Sequence, residues 1–157
     1  MSLTNLTRWI KASYVQEVRK LLKGADLFVE GDDKVRPKSK HFELRIDGPY
    51  STPCGTKGEY KAYIEVNILI NGTRDEENRY AFDNLKGAAA DVLNRDFCVY
   101  RTGNVGKAEE DDESLVGVMK LIPFDSIKTS DFGQIDSNTE VYQAVSEAHY
   151  EMYFSLE

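Results

Sequence analysis

The feature that most constrains this sequence is a strict apolar alternation between Glu59 and Ile70. The odd positions are mostly polar, whereas the even positions carry Tyr60, Ala62, Ile64, Val66, Ile68 and Ile70. Successive side chains of a β-strand point to opposite faces. A period of two residues therefore predicts a strand with one face buried in the core and the other exposed to solvent or covered by another surface. The β-branched residues that dominate the apolar face favour a half-buried pleated surface. At about 3.3 Å per residue the strand would run roughly 40 Å, which is long for a domain of this size.

Two further segments alternate in the same way. The segment from Glu140 to the end of the chain places these side chains on one face: Tyr142, Ala144, Ala148, Tyr150, Met152, Phe154 and Leu156. Residues His41–Asp47 also alternate, and we expect them to pair antiparallel with the strand over 60–70, which the turn dipeptide Asn71-Gly72 is expected to end. The connection between the two, Gly48–Gly58, is rich in turn residues and exceeds the median loop length of about five residues. We therefore predict a loop there that projects beyond the body of the domain.

Two amphipathic segments predict helices, one from Leu3 to Leu22 and one over about 79–93. The second is preceded by acidic residues, which suit the positive end of a helix dipole. Shorter apolar runs predict strands near 27–29, 97–101 and 115–122, whereas 124–137 is expected to be irregular. The expected fold class is α+β. It consists of a mainly antiparallel mixed sheet packed against two main helices, with a projecting loop or hairpin.

Composition restricts the class of protein. A chain of 157 residues with 41% hydrophobic and 30% charged side chains is expected to form one domain over 1–157, without help from disulfides or metals. The formal net charge of −7 argues against DNA or an anionic membrane as the main binding partner. The sequence has no apolar run long enough to cross a bilayer and no signal-peptide pattern.

The sequence contains no convincing catalytic or metal-binding motif. His41 and His149 lie in strand-like segments, where a solvent-facing or structurally satisfied histidine is favoured over a catalytic one. Gly103–Lys107 and Asp131-Phe132-Gly133 match phosphate-binding and kinase motifs only in part. The acidic run Glu109–Glu113 lacks the spacing of a calcium loop and is expected to be solvated, and the two cysteines are expected to be free thiols. We therefore expect no catalytic residue, no metal, no cofactor and no enzymatic turnover.

The order of the predicted elements resembles that of the tail terminator, or tail completion, proteins of long-tailed bacteriophages. The order is helix, short strand, strand, projecting loop, long strand, helix, strand, acidic loop, strand and long terminal strand. The resemblance covers nearly the whole chain, and the segments that suggest it most are Tyr63–Ile70 and Glu147–Phe154. This chain is longer than the shortest such proteins, mainly through the loops at 48–58 and 103–113. The resemblance implies a structural protein of the virion tail or neck, made in the host cytoplasm.

The resemblance also implies the partners. The chain would form a homo-oligomeric ring of six that joins the phage tail tube to a head-completion or connector protein, while DNA passes through without specific binding. Tyrosine is abundant and is enriched at protein interfaces. A ring needs two different surfaces on each subunit, so we place one at the 48–58 loop, with Tyr50, and the other on the outer face of the long strand, with Tyr63 and Leu69. Two alternatives stay open. One is a small binding module that uses an aromatic-bearing sheet face, and the other is an enzyme whose site is assembled from distant residues.

Overall fold

A computed structural model of the chain describes residues 3–23, 25–31, 40–54, 58–73, 80–101, 115–122, 127–134 and 141–155. Within these ranges the chain forms two α-helices and seven β-strands. In chain order they are α1 (Leu3–Leu21), β1 (Asp26–Val29), β2 (His41–Pro53), β3 (Glu59–Thr73), α2 (Ala81–Leu93), β4 (Phe97–Tyr100), β5 (Leu115–Leu121), β6 (Lys128–Gln134) and β7 (Val141–Ser155). The predicted α+β class is confirmed at this level.

The seven strands form one mixed sheet in the order β1-β2-β3-β7-β5-β4, and β6 also pairs with β7. Strands β1 and β2 are parallel, whereas the other described pairs are antiparallel. The centre of the sheet is the β3–β7 pair, which keeps one register from Glu59 opposite Ser155 to Thr73 opposite Val141. The two alternating segments found in the sequence are therefore hydrogen-bonded neighbours along their whole length.

The inward face of the central strands follows the predicted period of two. On β3 the buried residues are Ala62, Ile64, Val66, Ile68 and Ile70, and on β7 they are Ala144, Ser146, Ala148, Tyr150, Met152 and Phe154. Phe42 and Leu44 of β2 are also buried, and Ile46 packs against the same core. Because β-branched and aromatic side chains fill a pleated surface well, this alternation sets both the strands and their register.

Both helices contribute side chains to this core. Helix α1 contacts β4 and β2, and α2 contacts β3 and β7. Gly72 allows close packing, because a Cβ at this position would lie 3.0 Å from both Phe82 and Leu85 of α2. Lys86 joins α2 to β6, with its Nζ 2.9 Å from Asp131 Oδ2. The hydrogen bond with Asp131 is the main reason that the Lys86 pKa is raised.

Two buried tyrosine hydroxyl groups are hydrogen-bonded to each other in the core. Tyr150 Oη donates to the Leu93 carbonyl oxygen at 2.6 Å and lies 3.1 Å from Tyr14 Oη. Since the single hydroxyl hydrogen of Tyr150 is directed at Leu93, Tyr14 must be the donor in the bond between the two tyrosines. Both rings also make edge contacts with Phe97. This arrangement ties α1, α2, β4 and β7 to one point in the core.

Three predicted boundaries were wrong. Strand β2 does not stop at Asp47 but continues to Pro53, so the predicted Gly48–Gly58 loop is strand over its first half. The Asn71-Gly72 dipeptide does not turn the chain, because β3 runs on to Thr73 and stays paired with β7. The segment expected to be irregular contains β6, which holds the Asp131-Phe132-Gly133 triplet. In that triplet Asp131 binds Lys86, which is a structural role.

Some sequence predictions lie outside the described residues. These are the Gly103–Lys107 motif, the acidic run Glu109–Glu113 and the tip of the β2–β3 connection at 55–57. Among the helices that the structure describes, none combines the length and the apolar character needed to cross a membrane.

Candidate functional site

The candidate site is the side of the sheet opposite the core, which we call the open face. It is formed by the outward side chains of β2, β3 and β7. The outward residues are Glu43, Arg45, Asp47 and Tyr50 on β2, Lys61, Tyr63, Glu65, Asn67 and Leu69 on β3, and Val145, Glu147, His149, Glu151 and Tyr153 on β7. They are half-buried or exposed, so this face is accessible to a partner.

A β-bulge in β2 determines where Tyr50 points. Asp47 lies opposite Glu65 and Tyr50 lies opposite Tyr63, so two residues of β2, Gly48 and Pro49, share the space opposite one residue of β3. Gly48 has a φ of +102°, and a Cβ there would lie 2.8 Å from the Tyr63 carbonyl oxygen, so only glycine fits without strain.

The consequence of the bulge is a change of face. Phe42 and Leu44 point inward, and an unbroken strand would point every even position of β2 inward as well. The extra residue instead places Tyr50 on the open face beside Tyr63, where Tyr50 is 59% exposed. Its hydroxyl donates to Asp47 Oδ1 at 2.7 Å, and this hydrogen bond raises the pKa of Tyr50. Two of the three predicted interface residues are therefore brought together.

Beside these tyrosines, Lys61 is held between two aromatic rings. Its Nζ lies 5.1 Å from the centroid of Tyr63 and 5.0 Å from that of Tyr153, within range of a cation–π contact. The same Nζ forms an ion pair with Glu151 Oε2 at 2.7 Å. The hydrogen bond to Glu151 is the first reason that the Lys61 pKa is raised well above its usual value. Lys61 is therefore a fixed positive charge that orients both rings.

Two surface hollows flank Tyr153, which is 66% exposed. One, of about 320 Å³, is lined by Cys54, Glu59, Tyr60, Tyr153, Phe154 and Ser155. The other, of about 260 Å³, is lined by Val118, Lys120, Glu151, Met152 and Tyr153. An aromatic side chain with a hollow on each side is a shape into which side chains of a partner can pack.

In the middle of the open face, Glu65, Glu147 and His149 converge. Their ligand atoms all lie within 4.8 Å of one another, and His149 Nε2 is 2.7 Å from Glu147 Oε1. The amide of Asn67 lies 3.4 Å from Glu65 Oε1. Sequence reasoning missed this cluster because Glu65 is far from the other two in sequence. The register of β3 against β7, with Glu65 opposite His149, is the signal that reveals it.

The third predicted interface residue, Leu69, lies on the same face but away from the tyrosines. It is six positions from Tyr63 along β3, which is roughly 20 Å. Its neighbours in register are Glu43 on β2 and Val145 on β7. Leu69 and Val145 form a small apolar area at this end of the open face.

The other candidate residues from the sequence, His41 and the two cysteines, lie away from the cluster around His149. His41 Nε2 lies 3.1 Å from Asn71 Nδ2, and Gln143 donates to Asn71 Oδ1 at 3.3 Å. This network lies at the end of the sheet, away from His149. Cys54 and Cys98 are free thiols and are half-buried.

No protein-family model matches the chain, and no curated protein matches it either. The functional interpretation therefore stands on the sequence pattern and on the geometry of the open face.

Proposed function

We propose that this chain is a structural assembly protein of a long-tailed phage, in which six copies form a ring that terminates the tail tube and joins it to the neck. The observation that carries the proposal is the open face. It is a long, accessible surface on two fully paired central strands, with exposed aromatic residues at one end. The resemblance of the sequence to tail terminator proteins supplies the biological setting, in which the protein is part of the virion.

The central strands are suited to carry an interface. Strands β3 and β7 pair over fifteen residues each without a register shift, which makes a stiff support roughly 45 Å long. Exposed tyrosines on such a support lose little conformational freedom when a partner binds, because their positions are already fixed. Buried aromatic anchors contribute much of the energy at protein interfaces.

The β2–β3 hairpin is proposed as the element that reaches the neighbouring subunit. Its pairing continues to the end of the described strands, where the Cys54 amide donates to the Glu59 carbonyl oxygen at 3.0 Å. The hairpin therefore takes the place of the projecting loop expected from the sequence. Tyr50 and Tyr63 lie together near its end and would act as one contact.

A closed ring needs two different surfaces on each subunit, because one copy must contact the next in head-to-tail fashion. Tyr50 and Tyr63 are neighbours and belong to one surface, so they do not supply both. We assign the first surface to the hairpin end, with Tyr50, Tyr63 and Tyr153, and the second to the apolar area at Leu69 and Val145. The distance between these areas allows each to contact a different neighbour.

The net negative charge of the proposed ring is compatible with passage of DNA through it. Six copies carry a formal charge of −42, six times the −7 of one chain. A strongly acidic assembly repels the phosphate backbone, so DNA would pass without binding specifically. The stable partners are then proteins, namely the tail tube on one side and a head-completion or connector protein on the other.

The test is assembly with the cognate tail tube. Light scattering and native mass spectrometry of the chain, alone and mixed with polymerised tube, should give a complex with six copies per tube end. We expect Leu69→Asp and Tyr50→Ala to reduce assembly strongly. Leu115→Asp is the matched control, because Leu115 is 58% exposed but lies on β5, away from the open face. The proposal is wrong if the chain stays monomeric with the tube, or if particles lacking it still carry tails of normal length joined to heads.

A second candidate function is binding of a small ligand, and the two hollows beside Tyr153 favour it. A binding module would keep the mass of a monomer or dimer under all conditions. It would also lose ligand affinity on Tyr153→Ala without any change in mass. The mass measurement therefore separates the two candidates directly.

A further inference from the structure

Three metal-ligating side chains meet in the middle of the open face. Glu65, Glu147 and His149 each offer one ligand atom, and all three atoms lie within 4.8 Å of one another. We propose that this cluster binds a divalent first-row transition metal ion, for which zinc is the best-matched cation. The inference goes beyond the proposed function and does not depend on it.

The strands hold the three ligands in place. Glu65 and His149 are direct register partners across β3 and β7, and Glu147 lies two residues before His149, so all three point to the same face. The pairing of β3 with β7 has no shift along its length, so the backbone positions of the ligands are fixed. Sites on paired strands are held more accurately than sites on loops.

Among the described residues, the cluster brings carboxylate groups close together without a lysine or arginine partner. The carboxylates of Glu65 and Glu147 lie close together, and Asp47 adds a third as the register partner of Glu65 on β2. Like charges this close repel each other. In the part of the chain that the structure describes, neither glutamate forms an ion pair with lysine or arginine, although Lys128 is the register partner of Glu147. A divalent cation between the two carboxylates removes this repulsion.

The donor set points to zinc rather than to calcium or magnesium. Imidazole nitrogen suits zinc and its neighbours in the transition series, whereas calcium and magnesium take oxygen ligands almost alone. Two carboxylates and one neutral imidazole balance the charge of Zn²⁺. Bonds of about 2.1 Å in a tetrahedral arrangement place ligand atoms roughly 3.4 Å apart, so modest side-chain rotations close the cluster on the ion. Three protein ligands leave a fourth position for water or for a group from another molecule.

Binding moves one proton within His149. His149 Nε2 lies 2.7 Å from Glu147 Oε1, and since a carboxylate only accepts hydrogen bonds, Nε2 carries the ring hydrogen in the metal-free geometry. On binding, the Nε2 lone pair joins the metal and the ring hydrogen resides on Nδ1 after exchange through solvent, so a neutral ring releases no net proton. Glu147 changes from hydrogen-bond acceptor to metal ligand.

The test uses the full-length chain, stripped with a chelator and then titrated with zinc by calorimetry. We expect one zinc ion per chain, and we expect Glu65→Gln and His149→Asn each to weaken binding by at least about tenfold. Two matched controls should bind like the unchanged protein. Glu43→Gln alters a glutamate of the same face that is paired with Arg45, and His41→Asn alters the other histidine of the chain.

Two further measurements complete the test. Circular dichroism shows whether each variant is folded, and Glu65→Gln in particular keeps the shape of the side chain. Titration with cobalt should produce the visible absorption of a tetrahedral ion in the unchanged protein and not in His149→Asn. The proposal fails if the folded, unchanged chain takes up no stoichiometric zinc, or if Glu65→Gln and His149→Asn bind zinc as tightly as the controls. Stoichiometric zinc binding would contradict the prediction, made from the sequence alone, that the protein binds no metal.

Discussion

Removing the hydroxyl of Tyr150 should destabilise the fold far more than removing that of Tyr14, although the two groups are bonded to each other. The Tyr150 hydroxyl donates to the Leu93 carbonyl oxygen and accepts from Tyr14. In Tyr150→Phe both bonds are lost and the buried Tyr14 hydroxyl has no acceptor left. The Leu93 carbonyl keeps a second donor, because the Arg95 amide lies 2.9 Å from it. In Tyr14→Phe only the bond between the two tyrosines is lost.

The number of hydrogen bonds lost in each variant determines the expected loss in the free energy of unfolding. A typical hydrogen bond contributes about 1 kcal/mol, and an orphaned buried hydroxyl costs about 1 kcal/mol or more. Tyr150→Phe should therefore lower the free energy of unfolding by about 3 kcal/mol, and Tyr14→Phe by about 1 kcal/mol. Both replacements keep the aromatic ring, so the edge contacts with Phe97 remain.

The double variant is the decisive measurement. In the Tyr14→Phe background no hydroxyl is left to be orphaned, so Tyr150→Phe should cost only about 1 kcal/mol more. Urea unfolding of the four proteins gives a coupling energy of about 2 kcal/mol, within the usual range for residues in contact. Equal single effects that add to within about 0.5 kcal/mol would refute the assigned direction of the hydrogen bonds and the orphaning argument with it.

Two further outcomes follow from the buried core. Val66 is fully buried, so Val66→Asp should cost at least about 3 kcal/mol and lower the melting temperature sharply, whereas Leu115→Asp at an exposed position should change it little. An unchanged melting temperature for Val66→Asp would contradict the assigned register. Burial raises the pKa of Tyr150 to about 12 and that of Tyr14 well above its ordinary 10.0, so the folded state holds these protons more tightly than the unfolded state does. This stabilisation is complete below pH 10 and should be lost as the pH rises towards 12. Urea midpoints measured over that interval should fall less steeply in the double phenylalanine variant.

The long strands could be predicted because burial alone determines them. On β3 and β7 every second residue faces the core, and no bulge interrupts the pairing, so the sequence shows the same period as the structure. Helix α1 was predictable for the same reason, since its apolar residues recur at helical spacing. Its observed range, Leu3–Leu21, differs from the predicted Leu3–Leu22 by one residue.

Strand β6 could not be predicted because side-chain burial does not define it. Ser130, Asp131 and Phe132 are all exposed, so no apolar alternation marks the segment. It is a strand because its backbone pairs with β7, with an irregularity between Asp131 and Gly133. Pairing of this kind depends on a partner strand that is already in place, and a local pattern does not reveal it.

The position of Tyr50 illustrates a second limit. The turn residues Gly48 and Pro49 predict a break in the strand, and the break is real, but it is a bulge within β2 rather than the start of a loop. A loop and a bulge have similar composition, since both need glycine where φ is positive. The sequence therefore identified Tyr50 as a candidate without revealing that it lies beside Tyr63. The cluster of Glu65, Glu147 and His149 could not be predicted for a related reason. It forms only because β3 and β7, which are far apart in the sequence, pair in this register.

The proposed metal site and the proposed assembly surfaces share the open face, yet they can be tested separately. Glu65 lies between Tyr63 and Leu69 on β3, so the cluster occupies the region between the two proposed contacts. Leu69→Asp should reduce assembly strongly and leave zinc binding intact, whereas His149→Asn should weaken zinc binding by at least about tenfold. If His149→Asn also abolishes assembly, the ion is required for the ring contact. If assembly persists without zinc, the ion serves a single subunit, and the contacts at the two ends of the face are sufficient to close the ring.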